Sequence, residues 1–216
     1  VHHIEKFDHV PENELTVLFA NPRIEMEGIR SFDMSSLPST TMVLTNRSLT
    51  RFLALIMPNL HELNLSHTNF TNGNILITFS LHCHRLEKIT WTNINIDSKF
   101  YLNGSVIQYA KNLKEINMDD SNFVSYEHEE AEMSDLNNHP TIFIFHKWGS
   151  TVLERVSIRN VKCHKDHHTS GTSLSQTMLI KFIRKAPVTL KWFRSDLTPE
   201  NIEMLAKERP GIQLVN

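Results

Sequence analysis

With only two cysteines, six glycines and an aromatic fraction of 8%, this chain is poor in several residues on which whole protein classes depend. Cys83 and Cys163 are too few for a disulfide framework, and neither belongs to a Cys-x-x-Cys pair. So little glycine provides no loop that brings the backbone close to a phosphate, and GxSxG and HExxH sequences are missing as well. The chain therefore reads as a non-enzyme without cofactor. Its formal net charge is −2, which gives no global field for nucleic acid or an anionic membrane surface. No apolar run approaches the ~18–20 residues needed to cross a bilayer, and no secretory signal is visible. The sequence begins at Val1 rather than Met and reads as a fragment. Sequons occur at Asn46, Asn64, Asn69 and Asn103, a frequency that chance provides in a chain this rich in Asn, Ser and Thr. The expectation is an intracellular protein, cytoplasmic or nuclear.

What the chain does have is a recurring phrase. It runs Leu60, Leu63, Leu65, Thr68, Phe70, and returns as Leu86, Ile89, Trp91, Ile94, Ile96. Further copies read Leu113, Ile116, Met118, Ser121, Phe123 and Leu153, Val156, Ile158, Val161, Cys163. Anchors stand at Ile29, Leu60, Leu86, Leu113, Leu153, Leu190 and Ile212. Apolar residues at alternate positions predict a short strand in each unit, and the apolar stretch that follows predicts a returning helix. Thr71 and Thr198 are expected helix N-caps, the latter with Pro199 in the first helical position. Helices are further expected at Glu14–Ala20, Ser48–Ile56, Pro140–Lys147 and Leu174–Arg184. The whole of 1–216 is read as one domain of six to seven repeats. Residues 1–28 form an irregular N-terminal unit or cap, 35–46 a polar loop, and insertions occupy about 124–139 and 164–173. The first insertion carries the acidic run Glu127–Glu132 and the second a histidine-bearing loop. Both leave just after a strand and are expected to emerge side by side.

If the strands of successive repeats lie parallel, equivalent outward positions form lateral rows ~4.8 Å apart. One row reads Glu62, Lys88, Glu115, Arg155, Trp192, with charges alternating in sign. The next reads Asn64, Thr90, Asn117, Ser157, Arg194. A third, more peripheral, reads Ser66, Thr92, Asp119, Arg159, and in it Asp119 is expected to meet Arg159. These rows are the candidate partner-binding residues, with Arg155, Trp192 and Arg194 at the C-terminal end as expected hot spots. The competing account is a solvated face whose charges satisfy one another, each pair contributing ~0–1 kcal/mol. The cluster Cys163, His164, His167, His168 has zinc's ligand types but no standard spacing, so Cys163 is expected in the core and no metal is assigned. His82-Cys83-His84 is a weaker candidate still, because Cys83 fills the slot three before the anchor Leu86.

The segment Met57-Pro58-Asn59-Leu60-His61-Glu62-Leu63-Asn64-Leu65-Ser66 resembles the strand consensus of leucine-rich repeats of the ribonuclease-inhibitor-like, cysteine-containing class found in F-box proteins. Residues Thr71 to His82 resemble the helix half of that repeat. The ending from Leu190 to Pro210 is similar to leucine-rich-repeat proteins of diatoms. The resemblance covers about 48–123 and 150–216. It implies an α/β solenoid, an arc with a parallel sheet on the concave side and helices outside, that binds a protein partner. In F-box members the repeats hold a substrate for ubiquitylation, which implies a cullin-type ligase core as a further partner. The F-box itself has only a faint counterpart at Val10–Leu15. The alternatives are a metal- or pH-responsive sensor using the loop 164–168, and a purely structural scaffold.

Overall fold

An apolar residue flanked by two polar ones in extended chain sends the first to one side and the other two to the opposite side. A computed structural model describes residues 26–33, 35, 53–67, 74–97, 111–124, 152–164 and 170–216, and in it a three-residue strand recurs seven times, five copies having this pattern. The copies are β1 (Ser31–Asp33), β2 (Glu62–Asn64), β3 (Lys88–Thr90), β5 (Glu115–Asn117), β7 (Arg155–Ser157), β10 (Trp192–Arg194) and β11 (Gln213–Val215). They form one sheet, parallel throughout, in which spatial order follows chain order. The protein is thus α/β with a seven-stranded parallel sheet.

The core lies behind the central row of that sheet, where Phe32, Leu63, Ile89, Ile116, Val156 and Phe193 are buried. All seven anchors, from Ile29 to Ile212, are buried with them. Trp91, Met118 and Ile158 continue the core on leaving the strands. Burying a large aliphatic or aromatic side chain is worth ~1.5–3 kcal/mol, so the repeated apolar positions are the main force aligning one repeat on the next.

A second sheet was not expected from the repeat, which predicts a strand, a turn and a helix. It comprises β4 (Asn95–Asp97), β6 (Asn122–Val124), β8 (Lys162–His164) and β9 (Thr172–Ser173), in that order. The first three pair in parallel, with Ile96, Phe123 and Cys163 in one register. β9 pairs antiparallel to β8, so 172–173 is strand where an insertion loop is expected. The chain makes the same left-handed turn four times, three of them between a strand of the first sheet and one of the second. His67, Asn93, Asp120 and Asn160 each stand three residues past a strand with φ between 53° and 60°. Asn and Asp tolerate this left-handed conformation better than most residues, because their short polar side chains bond locally.

The described helices are α1 (Asn74–His82), α2 (Gln176–Lys185) and α3 (Pro199–Glu208), with a further helical stretch at 53–56. α3 begins as expected, with the Thr198 hydroxyl accepting from Asn201 N and Pro199 in the first turn. α2 starts two residues later than expected. Ser175 is its cap, accepting from Met178 N, while Leu174 precedes the cap and is buried. Leu174 and the buried Leu179 occupy the two positions of a hydrophobic staple. Arg209 closes the far end of α2 by donating to the carbonyls of Ile183, Arg184 and Ala186 at 2.9–3.2 Å. The expected cap at Thr71, the helices at 14–20 and 140–147, the polar loop at 36–46, the acidic run and His167 and His168 all lie outside the described residues.

Candidate interaction face

The strand registers place the sequence rows side by side as expected. Glu62 aligns with Lys88, Lys88 with Glu115, Glu115 with Arg155, and Arg155 with Trp192. The same registers align Asn64, Thr90, Asn117, Ser157 and Arg194. Glu115 sits between two cations, with Lys88 Nζ at 3.9 Å and Arg155 Nε at 3.7 Å. Next to this row, Lys114 reaches Glu87 at 3.0 Å and Lys191 reaches Glu154 at 2.9 Å. These pairs are exposed, and each contributes little to stability. Arg155 also lies over the indole of Trp192, 4.4 Å from the ring centroid. That distance is within the range of a cation–π contact.

The second row is tied into the strand ends. Asn64 Oδ1 accepts from Ser66 N, and Asn117 Oδ1 accepts from Asp119 N, both at 3.1 Å. Asp33 does the same for Ser35 N at 2.8 Å and also accepts from Asn64 Nδ2 at 3.1 Å. These side chains close the strand ends, as Asx turns do. Ser157 is buried. Asn64 and Asn117 are thus structural residues as well as face residues, while Thr90 is half-buried.

The third row needs the largest correction. Ser66 and Asp119 are buried, and the side chain of Asp119 pairs with Arg194, not with that of Arg159. Asp119 Oδ2 accepts from Arg194 Nη2 at 2.6 Å. Its Oδ1 accepts from Ser157 Oγ at 2.6 Å and from the backbone N of Arg159 at 2.7 Å. Ser66 and Asp119 turn inward after β2 and β5, and the long Arg194 side chain reaches Asp119 across β7. At the opposite end Ser66 Oγ accepts from Thr92 N and Thr92 Oγ1 at 3.1 and 2.9 Å. Arg159 itself is exposed, and its guanidinium has no acceptor among the described residues. Sequence reasoning missed the Asp119–Arg194 pair because the two lie 75 residues apart. It also missed the turn column, where Asn93 Nδ2 lies 3.0 Å from His67 Nδ1 and Asn160 Nδ2 donates to Asp120 Oδ1 at 2.9 Å. The recurrence of Asn or Asp at 93, 120 and 160, three residues past β3, β5 and β7, was the available signal.

Both cysteines are buried. Cys83 Sγ donates to the carbonyls of Met57 and Ala54 at 3.4 and 3.6 Å, and burial pushes its thiol pKa up to about 12. Such a thiol is neither a nucleophile nor a ready metal ligand at neutral pH. Cys163 is a core residue on β8. Its neighbour His164 places Nε2 3.1 Å from Asn122 Oδ1, under the backbone of Gly171. Among the described residues no three His, Cys, Asp or Glu side chains gather as a metal ion would require. Among them, too, no helix is long and apolar enough to cross a membrane. No protein-family model matches the chain, and no curated protein matches it.

Proposed function

We propose that this chain is a leucine-rich-repeat solenoid whose parallel sheet forms the concave side of an arc and binds a protein partner. The observation that carries the reading is the strict register of the parallel sheet. It sets polar, charged and aromatic side chains in continuous rows over six strands, from Glu62 to Gln213. A quasi-one-dimensional stack of this kind presents an extended surface instead of a closed pocket. Trp192 and the arginines beside it are the residue types that dominate binding energy in protein interfaces. The partner is sought inside the cell. The narrower form of the proposal, a substrate receptor of a cullin-type ubiquitin ligase, rests on the resemblance of the strand segments alone. The sensor reading rests on the histidine loop, of which His164 alone among its histidines is described.

Affinity purification of the tagged full-length protein from its own lysate, with mass spectrometry of what co-elutes, tests this. A reproducible protein partner that is lost in Trp192→Ala supports the interaction face. Recovery of a cullin with its adaptor supports the ligase form. Partners that Trp192→Ala and Arg155→Ala both leave in place would move binding away from the sheet. A chain that recovers nothing, but gains stability on zinc titration, would favour the sensor.

A further inference from the structure

We infer that Asp119 and Arg194 form a clamp around β7 that joins β5, β7 and β10 into one cooperative unit of the sheet. Such a clamp belongs to the frame of the interaction face and acts whatever partner that face takes.

In a stacked array each unit touches its neighbours, and stability is close to a sum of unit and nearest-neighbour contributions. The bonds of Asn64 to Asp33, Thr92 to Ser66, Asn160 to Asp120 and Lys191 to Glu154 obey that rule, each linking adjacent repeats. Arg194 to Asp119 does not. β7 lies between β5 and β10, and the ion pair spans it with a contact of 2.6 Å.

What the pair encloses is the exit of β7. Three successive residues there are held in turn from the two sides. Ser157 Oγ donates to Asp119 Oδ1 at 2.6 Å, and Arg159 N donates to the same oxygen at 2.7 Å. Between them, Ile158 N donates to the Arg194 carbonyl at 2.9 Å. Asp119 and Ser157 are both buried. If β10 comes away, the Asp119 carboxylate loses its cation where little water can replace it, and an unpaired buried charge is costly. That cost falls on β5 and on the β7 residues that share the carboxylate, so the three strands open together.

The position of the clamp matches the connectivity. From Glu115 to Arg155 the chain runs 40 residues, and from Arg155 to Trp192 it runs 37, the two longest steps between neighbours on this sheet. Longer connections hold a strand in place slightly more weakly, so side-chain bonds carry more of the task at β7.

Native-state hydrogen exchange of the full chain, followed by mass spectrometry, tests the clamp. Asp119→Asn keeps an acceptor for Ser157 and Arg159 but weakens the bond to Arg194. It should speed exchange in β10 about tenfold, although position 119 lies two strands away. Ile116→Val is a core loss of similar size on the same strand without a bond to β10, and it should speed β5 and β7 but β10 far less. Arg194→Gln should in turn speed exchange in β5. In the double variant of Asp119→Asn and Arg194→Gln the two effects should coincide instead of multiplying. Native exchange in β10 of Asp119→Asn would overturn the clamp and leave a sheet coupled through neighbours alone. Equal acceleration of β10 by Ile116→Val would overturn it in favour of a sheet that opens as a whole. A double variant that shows the product of its two singles would overturn it as well. Should Asp119→Asn fail to fold, Arg194→Gln decides alone, and an unchanged β5 then refutes the clamp.

Discussion

Asp119→Ala should be the costliest single change on the polar side of the parallel sheet. The substitution takes the acceptor from Ser157 Oγ and from the Arg159 amide, both within 2.7 Å of Oδ1. A buried donor left without a partner costs about 1–3 kcal/mol. It also releases Arg194, whose side chain is 36% exposed, so water takes up part of that loss and its share falls to about 1 kcal/mol. With Ser157 as the buried donor and the Arg159 amide only part-buried, these give about 2–4 kcal/mol, a large part of the ~5–15 kcal/mol that holds a domain together. Asp119→Asn separates the two contributions. It keeps an oxygen for Ser157 and Arg159 and loses only the charge pairing with Arg194, for about 1–2 kcal/mol. Urea unfolding followed by circular dichroism measures both, read as shifts in midpoint at constant slope. If Asp119→Ala lies within about 1 kcal/mol of the native chain, or costs no more than Asp119→Asn, then Asp119 does not organise this end of the face.

Three further outcomes are expected. Gly171→Ala would place a methyl group against the His164 ring, 2.6 Å from Cε1, and 2.9 Å from Lys162 Cβ. Because the second contact is near the backbone, β9 must shift, costing about 1–3 kcal/mol. Faster amide hydrogen exchange at Thr172–Ser173 would report it, and unchanged exchange would count against the packing described. In Cys163→Ala the remaining Cys83 thiol should resist a thiol reagent at mildly alkaline pH and react only as the chain unfolds, since burial pushes its pKa up to about 12. Reaction at the rate of a free thiol would contradict this. Hydrogen bonds from Arg184 at 2.6 and 2.8 Å hold the Glu208 carboxyl below its usual range. A depressed carboxylate stabilises the fold at neutral pH and loses that contribution as pH falls through its lowered range. The gap in melting temperature between the native chain and Arg184→Gln should therefore close on acidification, and a gap independent of pH would refute the pairing.

The sheet was legible in the sequence because the Leu-x-Leu spacing sets both the inward side and the phase of each repeat. Leu63, Ile89, Ile116 and Val156 could be aligned by eye, and their flanking residues then fell into the observed registers. The second sheet was not legible. Each of its parallel strands has a single central residue in register, Ile96, Phe123 or Cys163, and three residues are too short to show a period. Its antiparallel edge, Thr172–Ser173, is polar and reads as loop. On the candidate face the row positions followed from periodicity, but the burial of Ser66 and Asp119 past the strand ends and of Ser157 within β7 did not. Hydrogen bonds such as Asp119 to Arg194 depend on side-chain reach across an intervening strand, and a linear pattern holds no record of that. Ser175 as the cap of α2 was readable in principle, since Ser followed by a run of helix formers is the common start signal.

The registers also separate two kinds of distance. From Lys88 to its neighbour Glu115 the chain travels 27 residues, and from Glu115 to its neighbour Arg155 it travels 40, yet both steps cross one strand spacing. The extra length falls between Val124 and Arg155 in sequence, and the seven-stranded sheet keeps one register on both sides of it. The rows of the face can therefore stay aligned while the number of residues between two of their members changes, because each row is held by its neighbours across the sheet and not by distance along the chain.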